Sequence, residues 1–269
     1  MERHWIETEN SLELRSADHS GFWSIRWSGC LPGLYWESSR GQSVIGPILG
    51  GLGLTAAGRS DIGQTNEKTL VQVEVVQNRV EMIFLPPTWY ETKIRLCWWP
   101  TAQGQFDLMT EVSTRSVGLL KGVELGIVSM ISDLPETRPV WIEEFHDQNA
   151  AMRSIDGREA DWIKNQTSFE PNNSSGESNP SSPWSACINY ANHKIKILET
   201  VHPDDVSRCF RDKNGKLSRT WTFGYDMERG VVFRGRHRCR LFNNSETFDQ
   251  TTIDNWQNEF AGQPLPLFG

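Results

Sequence analysis

Two short segments of this 269-residue chain combine histidine with carboxylates, the side chains that general acid–base chemistry requires. One segment runs from Trp141 to Asp147 and the other from Val201 to Asp205. Histidine exchanges protons near neutral pH, and a neighbouring carboxylate orients the imidazole or shares the proton transfer. An Asp- and His-rich surface turn has the same composition, so this structural interpretation stays open beside the catalytic one. The candidate catalytic residues are His146, His202, Glu144 and Asp204.

Arginines recur at every second position between Gly230 and Phe242, a period that places them on one face of a β-strand. The row consists of Arg234, Arg236, Arg238 and Arg240. One explanation is a set of cross-strand ion pairs, for which the available carboxylates are Glu74, Glu81, Asp107, Glu111 and Glu124. The other is that one or two arginines hold an acidic sugar through bidentate hydrogen bonds. The candidate substrate-binding residues are Arg234, Arg236 and, as a stacking surface, Trp141.

These segments together predict one joint site. We expect it where Trp141–Asp147 meets the Val201–Asp205 turn, with the arginine row on the wall of a groove. His146 would donate a proton to the ring oxygen or bridging oxygen of a sugar, while Glu144 or Asp204 would accept one. An arginine of the row would orient the hydroxyl groups or a carboxylate of the ligand.

The sequence predicts neither a metal nor a cofactor. Gly50–Ala56 matches a loose dinucleotide fingerprint, but the residues after it cannot form the required helix, so we interpret it as a Gly-rich loop. The HxH and HExxH spacings of zinc sites are absent from the sequence. The five cysteines are scattered and lack CxxC spacing, which is typical of reduced thiols in a cytosolic protein.

Charge and hydropathy exclude several classes of partner. The chain has 27 basic and 34 acidic residues and a net charge of −7, which argues against general electrostatic capture of nucleic acid. No apolar run approaches the roughly 20 residues of a membrane helix. The first residues form no apolar segment of the kind that a secretory signal contains. We therefore expect a cytoplasmic protein with neither a nucleic-acid nor a membrane partner.

The elements that would position these residues are mostly strands. Period-two patterns recur along the chain, among them a hairpin formed by Leu70–Val76 and Val80–Phe84. A weakly patterned polar insertion over about 147–185 interrupts the series, and its most polar part, Asn165–Pro183, is expected to be a mobile surface loop. Apolar residues at helical spacing and a following Gly262 predict one short C-terminal helix. The sequence thus predicts an all-β, large antiparallel supersandwich that forms a single domain over 1–269.

Three stretches resemble proteins with the galactose mutarotase-like (aldose 1-epimerase-like) β-supersandwich: Gly104–Val112, Leu119–Ile127 and Glu228–Arg236. The resemblance implies two large, curved antiparallel sheets with a sugar-sized groove on a concave face. In mutarotases of this superfamily a His acts as general acid and a Glu as general base. The implied function is binding of a mono- or oligosaccharide, acidic ones included, with sugar epimerisation as the reaction. The alternatives are a non-catalytic sugar-binding or structural module and an enzyme similar to polysaccharide lyases or hydrolases.

Overall fold

The computed structural model contains nineteen strands and one helix among the residues that it describes. The described residues are 5–15, 21–39, 44–56, 59–87, 91–102, 104–130, 140–146, 149–155, 185–190, 195–202, 205, 208–211, 218–223, 226–243 and 250–264. The first ten strands are β1 Trp5–Glu7, β2 Ser11–Arg15, β3 Gly21–Arg26, β4 Gly33–Ser38, β5 Val44–Ile48, β6 Gly50–Ala56, β7 Arg59–Gln64, β8 Leu70–Val76, β9 Arg79–Phe84 and β10 Thr92–Ala102. The remaining elements are β11 Gln105–Thr114, β12 Glu124–Met130, β13 Val140–His146, β14 Asn149–Ile155, β15 Ser185–Tyr190, β16 Ile195–Val201, β17 Arg208–Arg211, β18 Ser218–Phe223, β19 Val232–Asn243 and the helix α1 Gln250–Ala261.

These strands form three antiparallel sheets. The largest has nine strands in the order β14-β13-β15-β16-β19-β11-β10-β9-β8. Two five-stranded sheets have the orders β1-β2-β3-β4-β5 and β17-β18-β12-β6-β7. The prediction of an all-β antiparallel sandwich with one short C-terminal helix is confirmed. That the whole chain is one domain stays a prediction.

Both five-stranded sheets pack against the same face of the nine-stranded sheet, which we call the inner face. The ring of Trp23 on β3 lies 4.9 Å from that of Phe106 on β11. The indole NH of Trp98 on β10 donates to the carbonyl oxygen of Leu49, between β5 and β6. Buried apolar side chains from all three sheets form one continuous core. Burial of this apolar surface is the main term that stabilises the sandwich.

The helix α1 packs on the opposite, outer face of the nine-stranded sheet. Trp256 and Phe260 are buried, and the indole NH of Trp256 donates to Oε1 of Gln105 on β11 at 2.8 Å. Gly262 follows the last helical residue, as the sequence predicted. One face of the helix is thus apolar and covers the arginine-bearing strand β19 and its neighbours.

Two interpretations of the sequence differ from the structure. Gly50–Ala56 forms β6 rather than a Gly-rich loop. Glycines are required there, because a Cβ at Gly51 would lie 2.5 Å from Cδ1 of Leu96 and Gly53 has a φ of 137°. The polar insertion contains strand β14, which pairs with β13. The Asn165–Pro183 segment lies outside the described residues.

The nine-stranded sheet ends at β8 on one side. Val71 and Val75 of this strand are exposed, and the polar Gln72 and Glu74 alternate with them. Polar side chains on an edge strand disfavour pairing with the edge of another molecule. Within the described ranges, no helix has the length and apolar character needed to cross a membrane.

Candidate functional site

The arginine row lies on the outer face of β19, and its two central members are buried in ion pairs. Arg238 is in register with Asp107 on β11 and binds it through Nε at 2.7 Å and Nη2 at 2.8 Å. Its guanidinium carbon lies 4.6 Å from the centre of the Phe260 ring. Nη2 also donates to Oε1 of Gln263, just beyond the helix. This arginine therefore joins β19, β11 and α1.

Arg236 and His202 contact each other beneath the end of the helix. Nη2 of Arg236 lies 3.0 Å from Nδ1 of His202, and Nε of Arg236 donates to Oδ2 of Asp205 at 2.8 Å. Nη1 donates to the carbonyl oxygen of Gln263 at 3.0 Å. The second ring nitrogen of His202 lies 2.9 Å from the carbonyl oxygen of Ala261. Both side chains are buried, because the chain around Ala261–Gln263 covers them.

That Arg236 orients a ligand on a groove wall stays a prediction. All three of its side-chain nitrogens are bound within the protein. The catalytic role of His202 stays a prediction, and its buried ring is positioned to hold α1 on the sheet.

The third arginine of the row, Arg234, belongs to a chain of charges that we call the outer ladder: Arg79 and Glu81 on β9, Arg95 on β10, Glu111 on β11 and Arg234 on β19. Arg79 binds Glu81 at 2.6 Å, and Arg95 binds both Glu81 at 2.6 Å and Glu111 at 3.0 Å. Nε of Arg234 donates to Oε1 of Glu111 at 2.6 Å. Three of the five carboxylates named as available partners therefore pair with arginines: Glu81, Asp107 and Glu111.

Arg234 differs from the other described members of the row in its exposure. Its side chain is 42% exposed, against 1% for Arg238 and 11% for Arg236. Within the described part of the chain, Nη1 and Nη2 of Arg234 make no hydrogen bond. Arg240, the last of the row, stacks on the Phe242 ring at 4.6 Å. Arg234 is thus the arginine of the row best placed to contact a ligand.

The first predicted segment lies on β13, whose register relates it to the rest of the sheet. Phe145 is opposite Ser185, which is opposite Thr200, which is opposite Arg238. His146 therefore lies at the same end of the sheet as His202, two strand spacings or about 10 Å away. The two segments reach one end of the sheet, as the joint site requires.

Successive positions along a strand, however, lie on opposite faces of the sheet, so the predicted site residues do not all occupy one face. Residues in register with the outer-face Arg238 include Phe145, so Glu144 and His146 occupy inner-face positions. His202 bonds through its backbone NH to the carbonyl of Arg236 and lies on the outer face with it. The register therefore places His146 and His202 at positions on opposite faces of the sheet, and the joint site stays a prediction.

Trp141 occupies an outer-face position but is remote from Arg234. Its row continues through Asn189 and Lys196 to Phe242. Phe242 and Arg234 are eight positions apart on β19, or about 26 Å along the strand. The positions of Trp141 and Arg234 in the sheet are therefore far apart, and the stacking role of Trp141 stays a prediction. Asp204 lies outside the described residues.

The inner face holds two ionisable residues that the sequence analysis did not single out as site residues. Glu199 on β16 and His237 on β19 are both buried, and they occupy diagonally adjacent positions because Glu199 pairs with Cys239 and Val201 with His237. Burial lowers the pKa of His237 to about 3, so its imidazole is neutral. The alternation of β19 already placed His237 opposite the arginines, but the neighbouring Glu199 follows only from the strand order. Among the described residues, no cluster of three or more potential ligands is arranged to hold a metal.

Comparison with solved structures identifies the fold. The GalM/aldose epimerase homologue from C. elegans is similar with a TM-score of 0.51 at 10% identity, covering 90% of this chain and 99% of that chain. A candidate aldose 1-epimerase from Klebsiella pneumoniae has a TM-score of 0.50 at 10% identity, covering 94% of this chain and 84% of its own. Heparan sulfate lyase HepC from Pedobacter heparinus has a TM-score of 0.47 at 7% identity, and this chain spans 37% of its length. No protein-family model and no curated protein sequence matches.

The chain has a galactose mutarotase-like fold, as the resemblance in its strands implied. The large sheet is joined by two smaller sheets that lie side by side, where the resemblance implied one second sheet. A backbone hydrogen bond from Gly51 to Pro32 connects these smaller sheets.

Proposed function

We propose that this protein binds a carbohydrate on the outer face of the nine-stranded sheet, beside the helix α1. The observation that carries the proposal is the state of Arg234, a half-exposed arginine whose two terminal nitrogens make no hydrogen bond to the described residues. The fold adds support, because it is shared with an aldose epimerase homologue over 90% of this chain. Two parallel N–H donors suit a pair of vicinal sugar oxygens or a planar acidic group.

Binding without catalysis is the form of this proposal that the outer face favours. The imidazole on that face, His202, is buried and bound to Arg236 and the Ala261 carbonyl. The carboxylates of the outer ladder, Glu81 and Glu111, are each bound by two arginines. A general acid or base must reach the substrate proton within hydrogen-bond distance. The described groups of this face therefore serve better to position a sugar than to transfer its protons.

A glycan array followed by titration calorimetry tests the proposal. We expect the wild-type protein to retain a set of related oligosaccharides and the Arg234→Gln variant to bind them at least about tenfold more weakly. Arg229→Gln is the matched control, because Arg229 is an exposed arginine of the turn just before β19. Equal binding by the wild type and Arg234→Gln, or no binding to any glycan, would contradict the proposal.

A second candidate function, sugar epimerisation, is favoured by the inner face. Glu144 and His146 are two positions apart on β13, which places both on this face. Carboxylates and imidazoles are the groups that opening and closing of a sugar ring requires. In this reaction His146 would donate the proton and Glu144 would accept it.

Exchange of sugar anomers, followed by NMR on common aldoses, distinguishes the two functions. An epimerase would accelerate exchange, and His146→Ala and Glu144→Gln would each abolish the acceleration. A binding protein would leave the exchange rate at its value in buffer. The appearance of unsaturated products from a polysaccharide would indicate a lyase instead.

A further inference from the structure

We propose that the sugar carries an anionic group, a carboxylate or a sulfate, and that Arg234 binds this group at the exposed end of the outer ladder. The inference rests on the proposed carbohydrate-binding function and names the class of ligand. Three observations support it: the arginines of β19 differ in their carboxylate partners, the end of the outer ladder at Arg234 is positively charged, and Glu111 is shared by two arginines.

The contrast within β19 is the first observation. Arg238 uses Nε and Nη2 on Asp107, and Arg236 uses Nε and Nη2 on Asp205, so each has a carboxylate of its own. Arg234 shares Glu111 with Arg95 and contacts it through Nε alone. The planar edge formed by Nη1 and Nη2 matches a carboxylate or sulfate in a bidentate arrangement. Of these arginines, Arg234 is therefore the one with binding capacity left for an external anion.

The charge of the surroundings is the second observation. The outer ladder contains three arginines and two glutamates, and Glu74 on β8 is in register with Glu81. The excess positive charge therefore lies at the end formed by Arg234 and Arg95, which share Glu111, whereas the whole chain has a net charge of −7. Lys93 is exposed on β10, in register with Ser113 and two positions from Arg95, and adds to the positive charge. A positive surface on an acidic protein attracts anionic ligands and orients their approach. The end of the outer ladder at Arg234 is such a surface.

Glu111 is the single carboxylate that Arg234 and Arg95 share, so it balances the charge of only one of them. Burial raises the pKa of the Glu111 carboxyl, but the hydrogen bonds from Arg234 and Arg95 outweigh this effect, and the pKa lies below its usual range. Glu111 is therefore ionised at neutral pH and holds Arg234 through Nε. One carboxylate shared between two guanidinium groups leaves an excess positive charge at the exposed end. Glu111 also competes with an external anion for Arg234. Replacing Glu111 should therefore strengthen anion binding, whereas replacing Arg234 should weaken it.

Calorimetric titration with three oligosaccharides of equal length tests the inference: one neutral, one containing a uronate and one sulfated. Inorganic sulfate serves as a fourth probe that carries the charge without the sugar. We expect the wild-type protein to prefer one of the anionic oligosaccharides by at least about tenfold. This preference should decrease as salt is added, because the surface charges are screened.

Four variants assign the effect to the ladder. Arg234→Gln should remove the preference for the anionic oligosaccharide, while Arg234→Lys, which keeps the charge but loses the planar pair of donors, should leave a reduced preference. Glu111→Gln should increase the affinity for the anion about threefold or more, because it removes the competing charge. Arg229→Gln is the control and should change nothing. Circular dichroism and urea unfolding of each variant verify that it is folded.

The outcomes separate this inference from the function on which it rests. If the neutral oligosaccharide binds as well as the anionic ones, carbohydrate binding stands and the anionic ligand is refuted. If no oligosaccharide binds, both proposals fail. If Arg234→Gln keeps the preference, or if Glu111→Gln weakens anion binding, another group recognises the anion and the inference is overturned. Binding of inorganic sulfate with the affinity of the sulfated oligosaccharide would overturn it as well, since the sugar would then contribute nothing.

Discussion

Removing the guanidinium of Arg238 should destabilise the protein more than any other change on the outer face. Its side chain is 1% exposed and that of its partner Asp107 is 3% exposed, so Arg238→Met leaves a carboxylate buried without its counter-charge. Breaking a buried ion pair in this way costs about 3–5 kcal/mol. The change also removes the contact with the Phe260 ring, for which about 1 kcal/mol is typical. We therefore expect a loss of about 4–6 kcal/mol in the free energy of unfolding.

The control and the double variant determine whether the buried pair is the cause. Glu259 binds the same arginine at 3.4 Å but is 64% exposed, so Glu259→Gln should change stability by less than about 1 kcal/mol. Asp107→Leu combined with Arg238→Met removes both charges together and should cost much less than the sum of the single changes. Urea unfolding followed by tryptophan fluorescence measures the wild type, the three single variants and the double variant without adding salt.

Two results would refute this reasoning. One is a loss for Arg238→Met that is no greater than the loss for Glu259→Gln. The other is additivity of Asp107→Leu and Arg238→Met, since residues in direct contact should show a coupling energy. Either result would mean that solvent or neighbouring dipoles compensate Asp107 once Arg238 is gone.

Three further predictions concern other buried groups. Burial lowers the pKa of His237 to about 3, so protonation of this imidazole favours the unfolded chain. The free energy of unfolding should therefore fall as the pH decreases from about 6.5 towards 3. In His237→Gln, a plot of this free energy against pH should be shallower by up to about 1.4 kcal/mol per pH unit. Burial raises the pKa of Cys97 to about 12 and that of Cys239 well above its usual value, so mass spectrometry should find both thiols alkylated only after unfolding, and early alkylation of either would contradict their burial. Trp256→Phe leaves Oε1 of Gln105 without its donor and should destabilise the protein by about 1–3 kcal/mol in urea; an unchanged midpoint would indicate that the bond contributes little.

The local part of the fold follows from the sequence, because it depends on residues that are neighbours in the chain. The turn at Gln77 and Asn78 has a positive φ at both residues and joins the predicted hairpin of β8 and β9. The alternation of β19 likewise places the arginines on one face. The glycines of β6 do not follow from local reasoning, because their neighbours lie on other strands. A Cβ at Gly51 would meet the side chain of Leu96 on β10, and a Cβ at Gly53 would meet the backbone carbonyl of Gly63 on β7.

The candidate site is harder to predict, because its residues come together through strand order. Asp107 was one of five possible partners for the arginine row, and only the pairing of β11 with β19 matches it to Arg238. The burial of Arg236 depends on the position of α1, which the helix sequence does not reveal. Whether His146 and His202 share a face depends on the register of two intervening strand pairs. A shift of one residue in either pair would reverse the answer.

The position of β19 also has a consequence for biosynthesis. This strand lies in the middle of the nine-stranded sheet, between β16 and β11, although it is the last of the described strands along the chain. Its contacts with β11 join residues that are far apart in the chain, such as Arg238 and Asp107, 131 positions apart. A ribosome that has not yet released residues 232–243 therefore carries two half-sheets whose edges at β11 and β16 lack their partner. Such edges pair readily with other chains. The nascent protein thus depends on prompt completion of translation, and fragments that end before β19 are expected to aggregate rather than persist as soluble halves.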